Sequence, residues 1–183
     1  MIRIVHGSVV DQRVDAIVNA ANGGLMGGGG VDGAIHRAAG PGLDEECRRL
    51  HDEGGCPTGD ARLTGAYGIS WARHVVHTVG PVFSEHSFEE GARLLASCYE
   101  RSCDLALAAG DASIAFPAIS CGVYGVPLER ALPVALDALV PYAVRFDRIV
   151  LAMFRRDEFA LAREVAREVV RCHDEGDEVV VDA

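Results

Sequence analysis

Positive charge is scarce in this chain: 17 Lys and Arg stand against 27 Asp and Glu, a formal net charge of −10. Phosphate backbones are held by clustered basic residues, so this balance argues against a nucleic-acid surface. Long apolar runs are lacking too. Nothing approaches the roughly 18 consecutive apolar residues of a membrane-spanning helix. The N-terminal stretch MIRIVHGSVV has no basic region, long apolar core or small-residue cleavage site of a signal peptide. A cytoplasmic protein without a membrane partner is expected. The six cysteines (Cys47, Cys56, Cys98, Cys103, Cys121 and Cys172) include no C-x-x-C pair and no His grouping at zinc spacing. Neither a disulfide framework nor a metal site is suggested, and reduced, mostly packed thiols are expected. No Lys follows the glycines, and neither G-x-x-x-x-G-K-[ST] nor a G-x-G-x-x-G in its proper context is present, which speaks against a nucleoside triphosphatase.

What is present is enough for one domain with a real core: 183 residues, 49% of them hydrophobic. Strands are predicted over 2–6, 15–19, 60–69, 74–79, 113–116 and 148–154, from alternating or continuous apolar runs. Helices are predicted over 32–39, from Pro41 to the Gly54-Gly55 break, and over 88–109, 128–140 and 158–172. Strands alternating with helices imply an α/β domain whose central, largely parallel sheet is covered on both faces. A single domain over 1–173 is expected, with 174–183 as an acidic, frayed tail.

The densest signal runs from Asp15 to Gly40. A short apolar strand, Ala16-Ile17-Val18, leads to Asn22, then to six glycines among the eight residues Gly23 to Gly30, then to a helix opening near Asp32. Strand, glycine loop and helix start form phosphate-binding geometry, because glycines admit an anion close to the backbone and the helix start offers unpaired N–H groups. A second small-residue loop, Ala118 to Pro127, follows another buried strand. Two loops at the carboxyl ends of strands suit a clamp on a small diphosphate, held at short range despite the chain's overall negative field.

Asp32 fits that picture badly. A carboxylate in a first helical turn complements the dipole by about 0.3–1 kcal/mol, but beside a bound phosphate it is a like charge. It is better explained as a group that positions water or a ribose hydroxyl and accepts a proton. Asn22 is either its neutral companion at a sugar hydroxyl or a turn residue in left-handed geometry. Asn19 reads as a structural amide tying loops together. His36 is four residues beyond Asp32, on the same helix face, and reads as structural or solvated. His77 reads as a satisfied core histidine. His74 and His77 are too isolated for a metal. Cys121 reads as packing rather than as a nucleophile. Tyr124 and Phe154 are either core residues or covers for a sugar or a base.

The segments NAANGGLMGGGGVDGAIHRAAG, TGDARLTGAYGI with HVVHTVGP, and SIAFPAISCGVYGVP closely resemble the macrodomain family, in particular its MacroD-like branch of ADP-ribosyl hydrolases. The resemblance covers nearly the whole chain. It implies a three-layer α/β/α fold with a mixed sheet and a cleft for ADP-ribose. It also implies removal of ADP-ribose from acidic side chains of modified proteins, deacetylation of O-acetyl-ADP-ribose, and no need for metal or cofactor. The implied partners are ADP-ribose and ADP-ribosylated proteins; separately from the resemblance, a monomer is expected. Alternatives from other classes are a reader that binds ADP-ribose without turnover and a phosphatase acting on ADP-ribose 1″-phosphate.

By the same resemblance Asp32 orients or activates water and Asn22 holds the distal ribose. Gly30 and Val31 belong to the first diphosphate loop; Ser120, Cys121, Gly122, Val123 and Tyr124 belong to the second, Tyr124 closing over the distal ribose. Phe154 corresponds to the aromatic near adenine. Two positions depart from the family pattern. Gly7-Ser8-Val9 stands where Gly-Asp-Ile is common, which replaces a charged acceptor for the adenine amino group by a serine. Ser-Cys-Gly replaces Ser-Thr-Gly in the second loop, a milder change if the loop works through backbone N–H groups.

Overall fold

A computed structural model describes residues 1–182 of the chain. In chain order the elements are β1 (Ile2–His6), β2 (Ala16–Ala20), α1 (Gly30–Ala39), α2 (Pro41–Asp52), β3 (Ala61–Gly65), β4 (His74–Thr78), α3 (Phe88–Ala108), β5 (Ser113–Pro117), α4 (Leu128–Leu139), β6 (Arg148–Met153), α5 (Arg156–Val169), β7 (Cys172–Glu175) and β8 (Glu178–Val181). The strands form one sheet in the order β3-β4-β2-β5-β6-β1-β8-β7. The five strands from β4 to β1 are joined by parallel pairings, and antiparallel strands flank them on both sides.

Strand side chains alternate between faces, and here both faces are apolar. Ile17, Val75, Ala115 and Val150 join Ile35 of α1 and Leu43 of α2 in one core. Val18, Val76, Phe116 and Leu151 join Leu95 and Tyr99 of α3, Leu132 of α4 and Val165 of α5 in the other. The result is the three-layer α/β/α arrangement with a mixed sheet. Because the central strands are parallel, their carboxyl ends lie along one edge. The segments leaving β2, β5, β6 and β1 follow one another there in that order, the geometry in which α/β sheets bind ligands.

Residues 174–181, expected as part of a frayed tail, are instead paired into the sheet. Residues 172–181 make a hairpin turning at Gly176, whose φ of 63° needs no Cβ. Its second strand pairs antiparallel with β1, Ile2 opposite Val181. Val179, Val180 and Val181 are buried, so the hairpin covers an apolar sheet edge that would otherwise stay open. Charge pairs add to the apolar contact: Arg3 reaches Glu175 and Glu178, and Asp174 receives Arg163 and Arg167. Only the tail's last position, 183, lies outside the described residues. Elsewhere the predicted ends moved by a few residues: β3 stops at Gly65 rather than 69, and α5 ends at Val169 because Cys172 has joined β7.

Candidate functional site

The first loop leaves β2 and enters α1 through a backbone that needs its glycines. Gly27 and Gly30 have φ of 83° and 56°, in the left-handed region that favours glycine. The N-cap of α1 is Gly29, with no side chain to cap the first turn, so the N–H groups there and the positive end of the dipole are available to an anion. The loop is fastened from behind by α2 and the turn after it. Cys56 N donates to Gly23 O at 3.0 Å, and His51 Nδ1 donates to Gly24 O at 2.9 Å.

Asp32 enters the site from the first turn of α1 and is 5% exposed. Its Oδ1 accepts from Asn19 Nδ2 at 2.7 Å, and His36 Nε2 lies 3.4 Å away. The far nitrogen of His36, Nδ1, donates to Asp44 at 2.6 Å. Burial pushes the Asp32 carboxyl above its ordinary value, and the Asn19 hydrogen bond and His36 pull only partly against it. Asn22 is exposed, and its Nδ2 donates to Gly27 O at 3.2 Å. Asn22 and Asp32 converge on Gly28. A Cβ there would stand 3.2 Å from Asp32 Oδ2 and 3.6 Å from Asn22 Nδ2, so the missing side chain leaves the space both groups face.

The second loop is short and self-bonded: Cys121 N donates to Ala118 O, Gly125 N to Gly122 O and Val126 N to Ser120 O. Ser120 has φ of 65°, is buried, and its Oγ has no hydrogen-bond partner. Gly80 packs so closely that a Cβ there would meet Ser120 Oγ at 2.1 Å. Burial pushes the Cys121 thiol up to about 12, the state of a packed thiol rather than a nucleophile. Gly122 and Val123 are exposed and Tyr124 is half-buried; the Tyr124 carbonyl accepts from Phe83 N at 2.8 Å.

Ser8 and Phe154 follow neighbouring strands, β1 and β6, pinned by Gly7 N donating to Met153 O at 2.8 Å. Phe154 is 73% exposed while Val9 is buried. Ser8 caps the short 3₁₀ turn over Val9–Asp11, its Oγ accepting from Val10 N at 3.3 Å. Gly30 and Val31 open α1 directly before Asp32. Asn22 and Asp32 are therefore brought together, whereas Ser120 to Tyr124, Phe154 and Ser8-Val9 are further stations along the same sheet edge.

Two residues of this site escape a reading of the sequence. Asn19, read there as a tie between loops, is the direct partner of Asp32; its signal was a polar residue two positions after Ile17, on the strand face that meets α1. His51 gives no signal at all, since its role depends on where α2 ends. His36, Cys47 and His77 carry candidate metal-ligand atoms within 4.8 Å of one another. Both nitrogens of His77 are already engaged, Nδ1 with Asn19 Nδ2 at 3.1 Å and Nε2 with Thr64 Oγ1 at 2.9 Å. That is the setting of a satisfied core histidine.

The Macro domain family model matches residues 18–135. The chain is 56% identical over 136 residues to a Macro domain-containing protein of Methanosarcina mazei, covering 74% of this chain and 70% of that protein. It is 40% identical over 181 residues to the ADP-ribose glycohydrolase MACROD2 of Homo sapiens, covering 97% of this chain but 42% of that longer protein. Among solved structures, the Oceanobacillus iheyensis macrodomain with ADP superposes with a TM-score of 0.83 at 35% identity, covering 90% of this chain and 89% of that one. The Trypanosoma brucei macrodomain in complex with ADP-ribose superposes with a TM-score of 0.78 at 43% identity, covering 89% and 68%. The chain belongs to the Macro domain family.

Proposed function

We propose that this protein is a metal-independent hydrolase that removes ADP-ribose from acidic side chains of modified proteins and also deacetylates O-acetyl-ADP-ribose. The observation that carries the reading is the convergence of Asn22 and a buried Asp32 on the space over Gly28, beside the uncapped start of α1. A purely binding site for a diphosphate has no use for a buried carboxylate. The name of MACROD2, an ADP-ribose glycohydrolase, and the ADP and ADP-ribose held by the structural neighbours support the same ligand here.

In this mechanism the N–H groups of the glycine loop and of the α1 start hold the diphosphate, with Gly30 and Val31 on one side and Ser120 to Tyr124 on the other. Asn22 fixes the distal ribose through a hydroxyl. Water lies against Asp32, which orients it toward the ester joining ribose to the target carboxylate and accepts its proton as the bond breaks. Because burial raises the basicity of Asp32, it is a stronger proton acceptor than an exposed aspartate. Tyr124 closes over the distal ribose. Phe154 covers the adenine beside Ser8 and Val9. The protein acts as a monomer in the cytoplasm; among the described residues no helix is long and apolar enough to cross a membrane.

The test is incubation with a glutamate-linked ADP-ribosylated protein. Release of ADP-ribose supports the hydrolase, whereas tight binding of free ADP-ribose without release makes the protein a reader. Inorganic phosphate from ADP-ribose 1″-phosphate would instead identify a phosphatase.

A further inference from the structure

We propose that His77 is a positioning residue: its Nδ1 lone pair fixes the Asn19 amide so that Nδ2, and not Oδ1, faces Asp32. The three side chains form a buried row. Asn19 and His77 are register partners on the adjacent parallel strands β2 and β4, and all three are at most 5% exposed. Asn19 Nδ2 lies 2.7 Å from Asp32 Oδ1 and 3.1 Å from His77 Nδ1. An amide nitrogen carries two hydrogens, and these two acceptors take both.

That count sets the tautomer of His77. If Nδ1 accepts, the ring proton of the neutral imidazole is on Nε2, where Thr64 Oγ1 stands at 2.9 Å to receive it. The Thr64 hydroxyl passes its own hydrogen to a carbonyl, Gly65 O at 3.2 Å or Val75 O at 3.4 Å. Burial holds His77 neutral, its pKa lowered to about 3 with His36 contributing. The opposite tautomer, with Nδ1–H, needs Asn19 turned over, and Oδ1 would then oppose the Asp32 carboxylate. Only a protonated Asp32 tolerates that arrangement. The tautomer of His77 and the charge of Asp32 are thus coupled through one amide.

The other groups around this row are His36 on α1, which faces Asp32 at 3.4 Å and His77 at a ring separation of 6.3 Å, and Asp44 on α2 behind it. Cys47 on α2 lies 3.8 Å from His77 Nε2, its thiol kept protonated by burial. None of these supplies the acceptor that Asn19 requires.

Nitrogen-15 NMR of the histidine rings in the unmodified protein reads the tautomer directly. A proton on Nε2 of His77 and a bare Nδ1 are expected; a proton on Nδ1 overturns the proposal. Carbon-13 NMR of the Asp32 carboxyl then compares His77→Gln, whose amide can still accept from Asn19 and donate to Thr64, with His77→Phe, which cannot. His77→Phe is expected to raise the carboxyl titration by about one pH unit and His77→Gln to restore it. Thr64→Val, a milder change, is expected to give a smaller rise should His77→Phe not fold. Equal titrations in folded variants and wild type overturn the proposal. The consequence for turnover rests on the proposed function: a one-unit rise lowers kcat about tenfold on the acid limb without changing KM. If the protein releases no ADP-ribose at all, the two NMR measurements still decide.

Discussion

The Asn19 amide donates to the Asp32 carboxylate across 2.7 Å in a buried setting, yet burial still leaves that carboxyl above its ordinary value. A raised carboxyl means that the folded state binds more protons than the unfolded chain, so its contribution to stability falls as pH rises. The penalty begins near the unfolded value of about 3.9 and is complete above the folded value. Asp32→Asn removes it while keeping an acceptor for Asn19. The variant is expected to be more stable than wild type at pH 7–8 by about 0.5–2 kcal/mol, less a small loss of helix-dipole complementarity. Thermal melts across pH check this, and the gap should close below about pH 4.

Gly28 separates binding from folding. Its backbone is not in the left-handed region, so a side chain there strains no backbone torsion, and what it crowds is Asp32 and Asn22. Gly28→Val is expected to leave the melting temperature nearly unchanged and to lower turnover by about a hundredfold or more, since misplacing reacting groups by an ångström has that effect. A steady-state assay beside a melt measures both.

Ser8 offers a gain rather than a loss. Its cap on the turn over Val9–Asp11 is one that aspartate also makes, so Ser8→Asp keeps the local structure. It adds a charged acceptor at the end of β1, beside Phe154. Tighter ADP-ribose binding, by about 1.5–3 kcal/mol, is expected from calorimetry. No gain would mean that adenine is recognised elsewhere.

Acid stability has a different origin. Burial alone would raise Asp15 and Asp60, but hydrogen bonds outweigh it. Asp15 receives Ala112 N, Ser113 N and Ser113 Oγ, and Asp60 receives Arg62, Ala61 N and Arg101, so both carboxyls are lowered. Lowered carboxyls stabilise the fold above their unfolded value of about 3.9, and this is lost as pH falls through the folded values. Asp15→Asn is therefore expected to destabilise the protein at pH 7 and to matter progressively less below about pH 4, as denaturant midpoints will show.

The layered α/β fold and the strand, loop and helix around Asp32 were legible because apolar runs and glycines are local signals. Asn22 and Asp32, which the structure brings together over Gly28, lie inside that same local stretch. The hairpin of β7 and β8 was not: Asp174, Glu175, Asp177 and Glu178 dominate the composition there, and Val179 to Val181 become meaningful only when β1 presents a free edge. Asn19 and His77 are 58 positions apart in sequence. Their pairing follows from the β2 to β4 register, which no local pattern specifies. His51 likewise gains its role only when the end of α2 folds back on Gly24.

The central claim is that Asp32 performs chemistry rather than capping a helix. Single-turnover release of ADP-ribose from a glutamate-linked substrate, with wild type and Asp32→Ala compared at matched binding, tests it most directly. The account predicts release by wild type and a loss of about 10²–10⁴-fold in Asp32→Ala, the range of a lost proton-transfer group. An Asp32→Ala protein that folds, binds ADP-ribose and releases it at the wild-type rate would contradict it.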